Sequence, residues 1–177
     1  MARLSTINLK GWIDEHRHLL KPPVGNALVW TDTELQVMIV GGPNRRNDYH
    51  IDPGEELFYQ IEGDMVLGVM EDGVPRAIPI REGEMLLLPP LVPHAPQRRA
   101  NTVGLVVERV RTPDEKDIFR WYCDRCHAIL HDASLHVTDL SSQIKPVLEN
   151  FYADEKLRTC GTCGAVSQPP PPVQGGA

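Results

Sequence analysis

The chain has 177 residues, of which 41% are hydrophobic and 24% charged, and a net charge of -6. That length suits one cored domain with a small appendage, and the acidic balance argues against nucleic acid, whose phosphates need a basic face. No apolar run approaches the length of a bilayer span, and MARLSTINLKGW lacks the apolar centre of a signal peptide, so the expectation is a cytoplasmic protein with no membrane partner.

Residues Ile7 to Leu20 predict a short helix. Trp12, Ile13, His16, Leu19 and Leu20 recur at helical spacing, Asn8 is a candidate cap and Pro22-Pro23 stops the helix. KPPVGN is then a loop, with Asn26 either facing a pocket or simply making a turn. From Ala27 the pattern turns β-like. Leu28 to Trp30, Leu35 to Val40, Leu57 to Ile61, Met65 to Met70, Ala77 to Ile80, Met85 to Leu88 and Val103 to Val107 are short aliphatic runs. Gly41-Gly42-Pro43, Pro53-Gly54, Glu62-Gly63-Asp64, Glu71-Asp72-Gly73 and Glu82-Gly83 punctuate them. Short strands with such spacing predict an all-β sandwich or barrel of the jelly-roll kind, and no helical pattern interrupts them to make a parallel sheet.

After Arg111 the character changes. TPDEKD reads as a charged connector, followed by WYCDRCHAILH and a helix in which Ile144, Val147, Leu148 and Phe151 share one face. Pro146 must lie near the first turn of that helix or kink it. RTCGTCG follows, and SQPPPPVQGGA has too little apolar content to fold and is expected to be mobile. The expected organisation is a catalytic β-barrel with its N-terminal helix over 1–111, an extension over 112–164 and a flexible tail over 165–177.

Three residues suggest a reaction centre. The stretch DYHIDPGEELFYQIEG sets His50 and Glu56 six residues apart around a Pro-Gly turn, and GEMLLLPPLVPHAPQR supplies His94 after another strand. Two histidines and one carboxylate are the donor set of the facial triad, which holds Fe(II) and leaves positions open for substrate and dioxygen. Either histidine alone reads better as a core or surface residue; the constellation favours a site.

The cysteines fall in two pairs, Cys123-x-x-Cys126 and Cys160-x-x-Cys163. In a chain with no export signal that spacing indicates a metal rather than disulfides, with four thiolates in tetrahedral array around Zn(II) or iron. Such a metal would close the intervening chain into a loop and pin the C-terminal helix. A zinc ribbon that reads nucleic acid is the rival, weakened by the acidic balance. His127, beside Cys126, could replace a ligand, and His131 and His136 are expected on the surface.

The spacing Glu56-x6-Gly63 and Gly83-x5-Pro89-x4-His94 resembles the two motifs of the cupin superfamily, which place metal ligands inside a small barrel. The usual His-x-His is His50-Ile51-Asp52 here, and Arg98 stands where a cupin often has Asn, so three ligands remain of the common four. GGPNRRNDYHIDPGEELFYQIEGDM, LLLPPLVPHAPQR, ANTVGLVVER and KPPVGN, together with the cysteine pairs, further resemble the 3-hydroxyanthranilate 3,4-dioxygenase family. That resemblance spans most of the chain up to Gly164. It implies Fe(II), dioxygen and extradiol opening of an aromatic amino-hydroxy acid to 2-amino-3-carboxymuconate semialdehyde, which closes to quinolinate, a precursor of NAD. It also implies a cysteine site away from the catalytic iron and a structural role for it.

On this resemblance Arg98 suits the substrate carboxylate, since a guanidinium fork pairs bidentately with it. Arg46 suits dioxygen, and Glu108, the odd residue in an apolar strand, suits substrate contact. Catalytic roles thus fall on Arg46, Arg98 and Glu108, and substrate contacts on Glu56, Arg98, Glu108 and Asn26. Ordinary surface ion pairing is the alternative for Arg46, Arg98 and Glu108. A homodimer is expected from the family and from exposed strand edges. Two rivals share the scaffold: another aminophenol or aminohydroxybenzoate ring-cleaving dioxygenase, and a cupin module that binds a metal or an aromatic acid without turnover.

Overall fold

The structure, a computed structural model, describes residues 5–21, 25–44, 46–138 and 140–170. Asn8 caps the first helix as its position suggests, its side-chain oxygen accepting the Gly11 N–H at 2.9 Å. This helix, α1 (Leu9–His16), ends four residues earlier than expected because Arg17–Leu20 tightens into a 3₁₀ turn. The strands follow in order: β1 (Asn26–Leu28), β2 (Leu35–Gly41), β3 (Asp48–Ile51), β4 (Glu56–Glu62), β5 (Met65–Glu71) and β6 (Val74–Ile80). Then come β7 (Met85–Leu88), β8 (His94–Arg98), β9 (Val103–Arg109), β10 (Asp117–Tyr122) and β11 (Ile129–Leu135). The chain finishes with α2 (Leu140–Ala153), which holds Pro146 inside it, and the short α3 (Glu155–Arg158).

Two antiparallel sheets form, in the orders β1-β2-β9-β4-β7 and β11-β10-β3-β8-β5-β6. Period-two alternation sorts their side chains. Met38, Phe58, Val106 and Leu88 from the first sheet and Met65, Leu67, Val69 and Ile80 from the second meet as one core between them. On the outer face of the first sheet, Ile39 and Val103 are capped by Ile13 of α1 and Leu20 of the 3₁₀ turn. This is the jelly-roll barrel expected from the strand spacing.

The chain after Arg111 crosses from the first sheet to the second. Strand β10 pairs with β3 from Asp48 to Ile51, so the extension completes the barrel wall rather than standing beside it. Helix α2 packs on the same face of β10 that carries Asp117: Phe151 stacks on Trp121 (centroids 4.2 Å apart), and Phe119 and Val137 join the cluster. Strands β3, β8 and β10 escape the aliphatic pattern because their inward positions carry polar or aromatic groups, such as His50, His94, Asp117 and Phe119. The start of the expected mobile tail is also docked: Val166 bridges Thr159, and Ser167 is buried with its N–H on the Arg158 carbonyl. Residues 171–177 lie outside the described ones. No helix among the described residues is long and apolar enough to cross a membrane.

Candidate active site

The register sets the site. In the first sheet Gln36, Glu108, Glu56 and Leu88 stand opposite one another in one inward row. In the second, Phe119, His50, His94 and Val69 make the facing row. The Pro53-Gly54 turn joins β3 to β4 across the barrel, which is why residues six apart in sequence arrive on opposite walls of one cavity. Glu56, His50 and His94 are all buried, and one donor atom from each lies within 4.8 Å of the others. His94 Nε2 is 2.9 Å from Glu56 Oε2. A buried carboxylate converging with two imidazoles inside a closed barrel is the donor chemistry of a metal site, and the set fits one.

Electrostatics sharpen the picture. Burial alone would raise the Glu56 carboxyl, but His94 and His50 outweigh it and hold it below the usual range. His94 is lifted against its own burial by Glu56. One side of the triad is acidic: Asp52, Glu56 and Glu108 bring carboxylate oxygens within 4.8 Å of one another. Burial, with Glu56 adding to it, pushes Glu108 up to about 8, so its carboxyl is neutral at pH 7. Arg111 Nη1 approaches Glu108 Oε1 to 2.8 Å, while Oε2 is left without a partner.

At the other end of the barrel is Arg98, 4% exposed, opposite Met65. It has no carboxylate partner among the described residues; Nη1 donates to the Gln60 amide oxygen at 3.0 Å and Nε is unpaired. Burial draws it down to about 10. A buried cation without a counter-ion is costly unless a ligand supplies the anion. Arg46 is engaged with Asp48 in an ion pair and lies 5.9 Å over the Phe119 ring, which itself stacks on His50. Asn26 opens β1 opposite Val40, on the inward face, at the rim of the sheet.

The four cysteines converge. Cys123 and Cys163 sulfurs are 3.6 Å apart, Cys126 and Cys160 sulfurs 3.5 Å, and all four lie within 4.8 Å of one another. These separations exceed a disulfide bond and suit thiolates around a shared ion. The knuckles match in backbone: Cys123 N–H bonds Ala128 O and His127 N–H bonds Cys123 O, as Cys160 N–H bonds Ala165 O and Gly164 N–H bonds Cys160 O. His127 thereby takes the left-handed position (φ 59°) that Gly164 takes in the second knuckle. His131 and His136 are half-buried rather than on the surface: His131 stacks near Trp121, and His136 Nδ1 lies 2.8 Å from the Glu115 carbonyl.

A sequence profile of 3-hydroxyanthranilic acid dioxygenase matches residues 1–152. The chain belongs to the 3-hydroxyanthranilic acid dioxygenase family. It is 52% identical over 176 residues to a 3-hydroxyanthranilate 3,4-dioxygenase of Jannaschia, covering 99% of this chain and 98% of that one. With the same-named protein of Xanthomonas oryzae it shares 53% over 164 residues, 93% of each chain. Among solved structures it is similar to a cupin-2 domain protein of Shewanella frigidimarina, with 17% identity and a TM-score of 0.48 over 59% of this chain and 94% of that one.

In this member of the 3-hydroxyanthranilic acid dioxygenase family, three buried residues at the site carry little signal in the local sequence. Asp117, wholly buried, takes His50 Nε2 at 2.7 Å and holds that ring from behind. It sits in what reads as a solvated connector, TPDEKD, and only the alternation Asp117, Phe119, Trp121 hints that it points inward. Arg111 reaches Asp117 (2.6 Å), Asp52 (2.7 Å) and Glu108 (2.8 Å), joining three acids through one guanidinium. Gln60, on β4, holds Arg98.

Proposed function

We propose that this chain is a 3-hydroxyanthranilate 3,4-dioxygenase, with Fe(II) held by His50, Glu56 and His94. The observation that carries the reading is the pairing, inside one barrel, of a three-donor centre with a buried cation that has no bonded carboxylate among the described residues. Iron, when bound, supplies chelation of the substrate's amino and hydroxyl groups and an electron path to dioxygen. Arg98 takes the substrate carboxylate and sets the ring's orientation. Glu108, its carboxyl raised by burial, offers Oε2 to the substrate's polar edge, donating a hydrogen bond at neutral pH and accepting a proton from the substrate hydroxyl at higher pH. Arg46, braced by Asp48, places positive charge where dioxygen gains negative charge. Glu56 and Asn26 border the ring, and the Met38, Phe58 and Val106 row keeps water out. Ring opening yields 2-amino-3-carboxymuconate semialdehyde, which closes to quinolinate for NAD synthesis.

The four-cysteine site holds a structural Zn or Fe ion, and its need for thiolates supports a reducing, cytoplasmic location. We also propose a homodimer. The outward row Val37, Val107, Leu57 and Leu87, continuous across the first sheet by register, extends past the patch that α1 covers, with Leu87 56% exposed.

The test is oxygen uptake by the Fe(II)-reconstituted protein given 3-hydroxyanthranilate, with the iron-free protein as control. Iron-dependent uptake matched by quinolinate is the expected result; uptake only with a related aminophenol would move the substrate, and none at all would overturn the reading. Glu56→Ala should lose turnover by about 10³-fold or more, together with iron at the barrel site. Circular dichroism should show the fold retained.

A further inference from the structure

We infer that Gln60 is the positioning residue for Arg98, and that selectivity for a carboxylated ring depends on position 60 carrying a neutral amide. The inference rests on the reading of Arg98 as the carboxylate-binding residue.

Gln60 is 1% exposed and lies on the inward face of β4, four residues beyond Glu56. Its Oε1 accepts from Arg98 Nη1 at 3.0 Å, and its Nε2 donates to the Glu62 carbonyl at 3.1 Å. The two bonds fix the amide's sense: turned over, it would set NH₂ against a cation and oxygen against a carbonyl. The Gln60 backbone is held at both groups, by the Glu84 carbonyl and the Gly83 N–H.

The opposite strand makes room. Gly104 faces Gln60 across β9, and a Cβ there would come within 2.5 Å of Arg98 Nη1 and 2.8 Å of Gln60 Oε1. Arg98 is clamped at its own backbone, its N–H on Asn44 Oδ1 at 2.7 Å and its carbonyl accepting the Asn44 N–H at 3.1 Å. The guanidinium is thus steered by one neutral acceptor, while Nε stays unpaired.

An amide is the side chain that does this without cancelling the charge. A carboxylate at position 60 would close on Arg98 as a bidentate ion pair and leave the substrate's carboxylate facing a neutral couple. An apolar side chain would leave Nη1 unsatisfied and the fork free to turn. The amide satisfies one donor, aims the others and keeps the positive charge for the ligand.

The experiment compares anaerobic binding of 3-hydroxyanthranilate and of 2-aminophenol, the same ring without its carboxylate, to Fe(II)-loaded parent, Gln60→Glu, Gly104→Ala and Arg98→Met. Gln60→Glu should lower the preference for the carboxylated ring by about tenfold or more at unchanged iron content, and in separate aerobic turnover KM should rise more than kcat falls. Gly104→Ala, which displaces the guanidinium without adding charge, should lower the same preference, and decides the matter if Gln60→Glu does not fold. If Arg98→Met abolishes the preference while Gln60→Glu and Gly104→Ala leave it intact, or weaken both ligands alike, the inference about Gln60 is overturned. If Arg98→Met itself leaves the preference intact, the reading of Arg98 is what fails.

Discussion

Glu108 is the residue at which pH acts most directly. Its carboxyl stands at about 8, against 4.5 for an ordinary glutamate, chiefly because burial penalises the anion. The folded, ligand-free chain therefore binds a proton between about pH 4.5 and 8 that the unfolded chain has released, so stability falls as pH rises through that window. Glu108→Gln removes this dependence. Thermal unfolding of the iron-free proteins should show the variant gaining on the parent steadily from pH 5 to 8.5; a gap that stays constant would mean Glu108 does not titrate there. Arg98 is the opposite case, a cation that burial weakens and the Glu56 charge only partly relieves, with no carboxylate bonded to it among the described residues, which is why a ligand's carboxylate has most to gain beside it.

At the level of elements, β10 ties the C-terminal region to the candidate site. It places Asp117 against one ring nitrogen of His50 and stacks Phe119 on the same imidazole, with ring centroids 5.1 Å apart. Carboxylates that hold a ligand histidine from behind orient the ring and keep it basic, and removing them weakens metal binding about 10–100-fold. Asp117→Ala should therefore lower Fe(II) affinity by that factor in chelator competition. Parent affinity in this variant would show that Asp117 serves only the Arg111 cluster. Strand β4 works along its length: Glu56 at the triad, Phe58 in the core and Gln60 on Arg98 are successive inward positions. One strand thus spaces the candidate metal centre from the proposed carboxylate-binding end.

For the whole molecule, the two sheets differ in what covers them. Helix α1 caps the first sheet near Ile39 and Val103, and α2 covers Phe119 and Trp121 on the second. The first sheet's outer row from Val37 to Leu87 is left without a covering element among the described residues, and Met85 beside it is 64% exposed. If a second copy covers that row, Leu87→Lys should shift the protein from dimer to monomer in sedimentation velocity while iron binding is kept, because Leu87 points away from the barrel interior. A parent protein that sediments as a monomer would remove the dimer proposal.

Much of this was legible in the amino-acid order because its signals are local. Aliphatic runs with Gly and Pro punctuation mark the barrel, Asn8 caps its helix, and two Cys-x-x-Cys pairs mark the convergence of the four cysteines. His50 and Glu56 flank one turn, so their spacing alone hints that they meet. Tertiary structure decided the rest, for a physical reason: a buried polar group is satisfied by whatever the register brings opposite it, however distant in sequence. Asp117 meets His50 across 67 positions and Gln60 meets Arg98 across 38. Asp117 and Arg111 look like solvated charges until β10 pairs with β3, and the same pairing makes the C-terminal segment part of the barrel. Composition shows that these acids and cations are present. Folding determines which of them neutralise one another, as Arg111 and Asp117 do, and which is left waiting for a ligand, as Arg98 is.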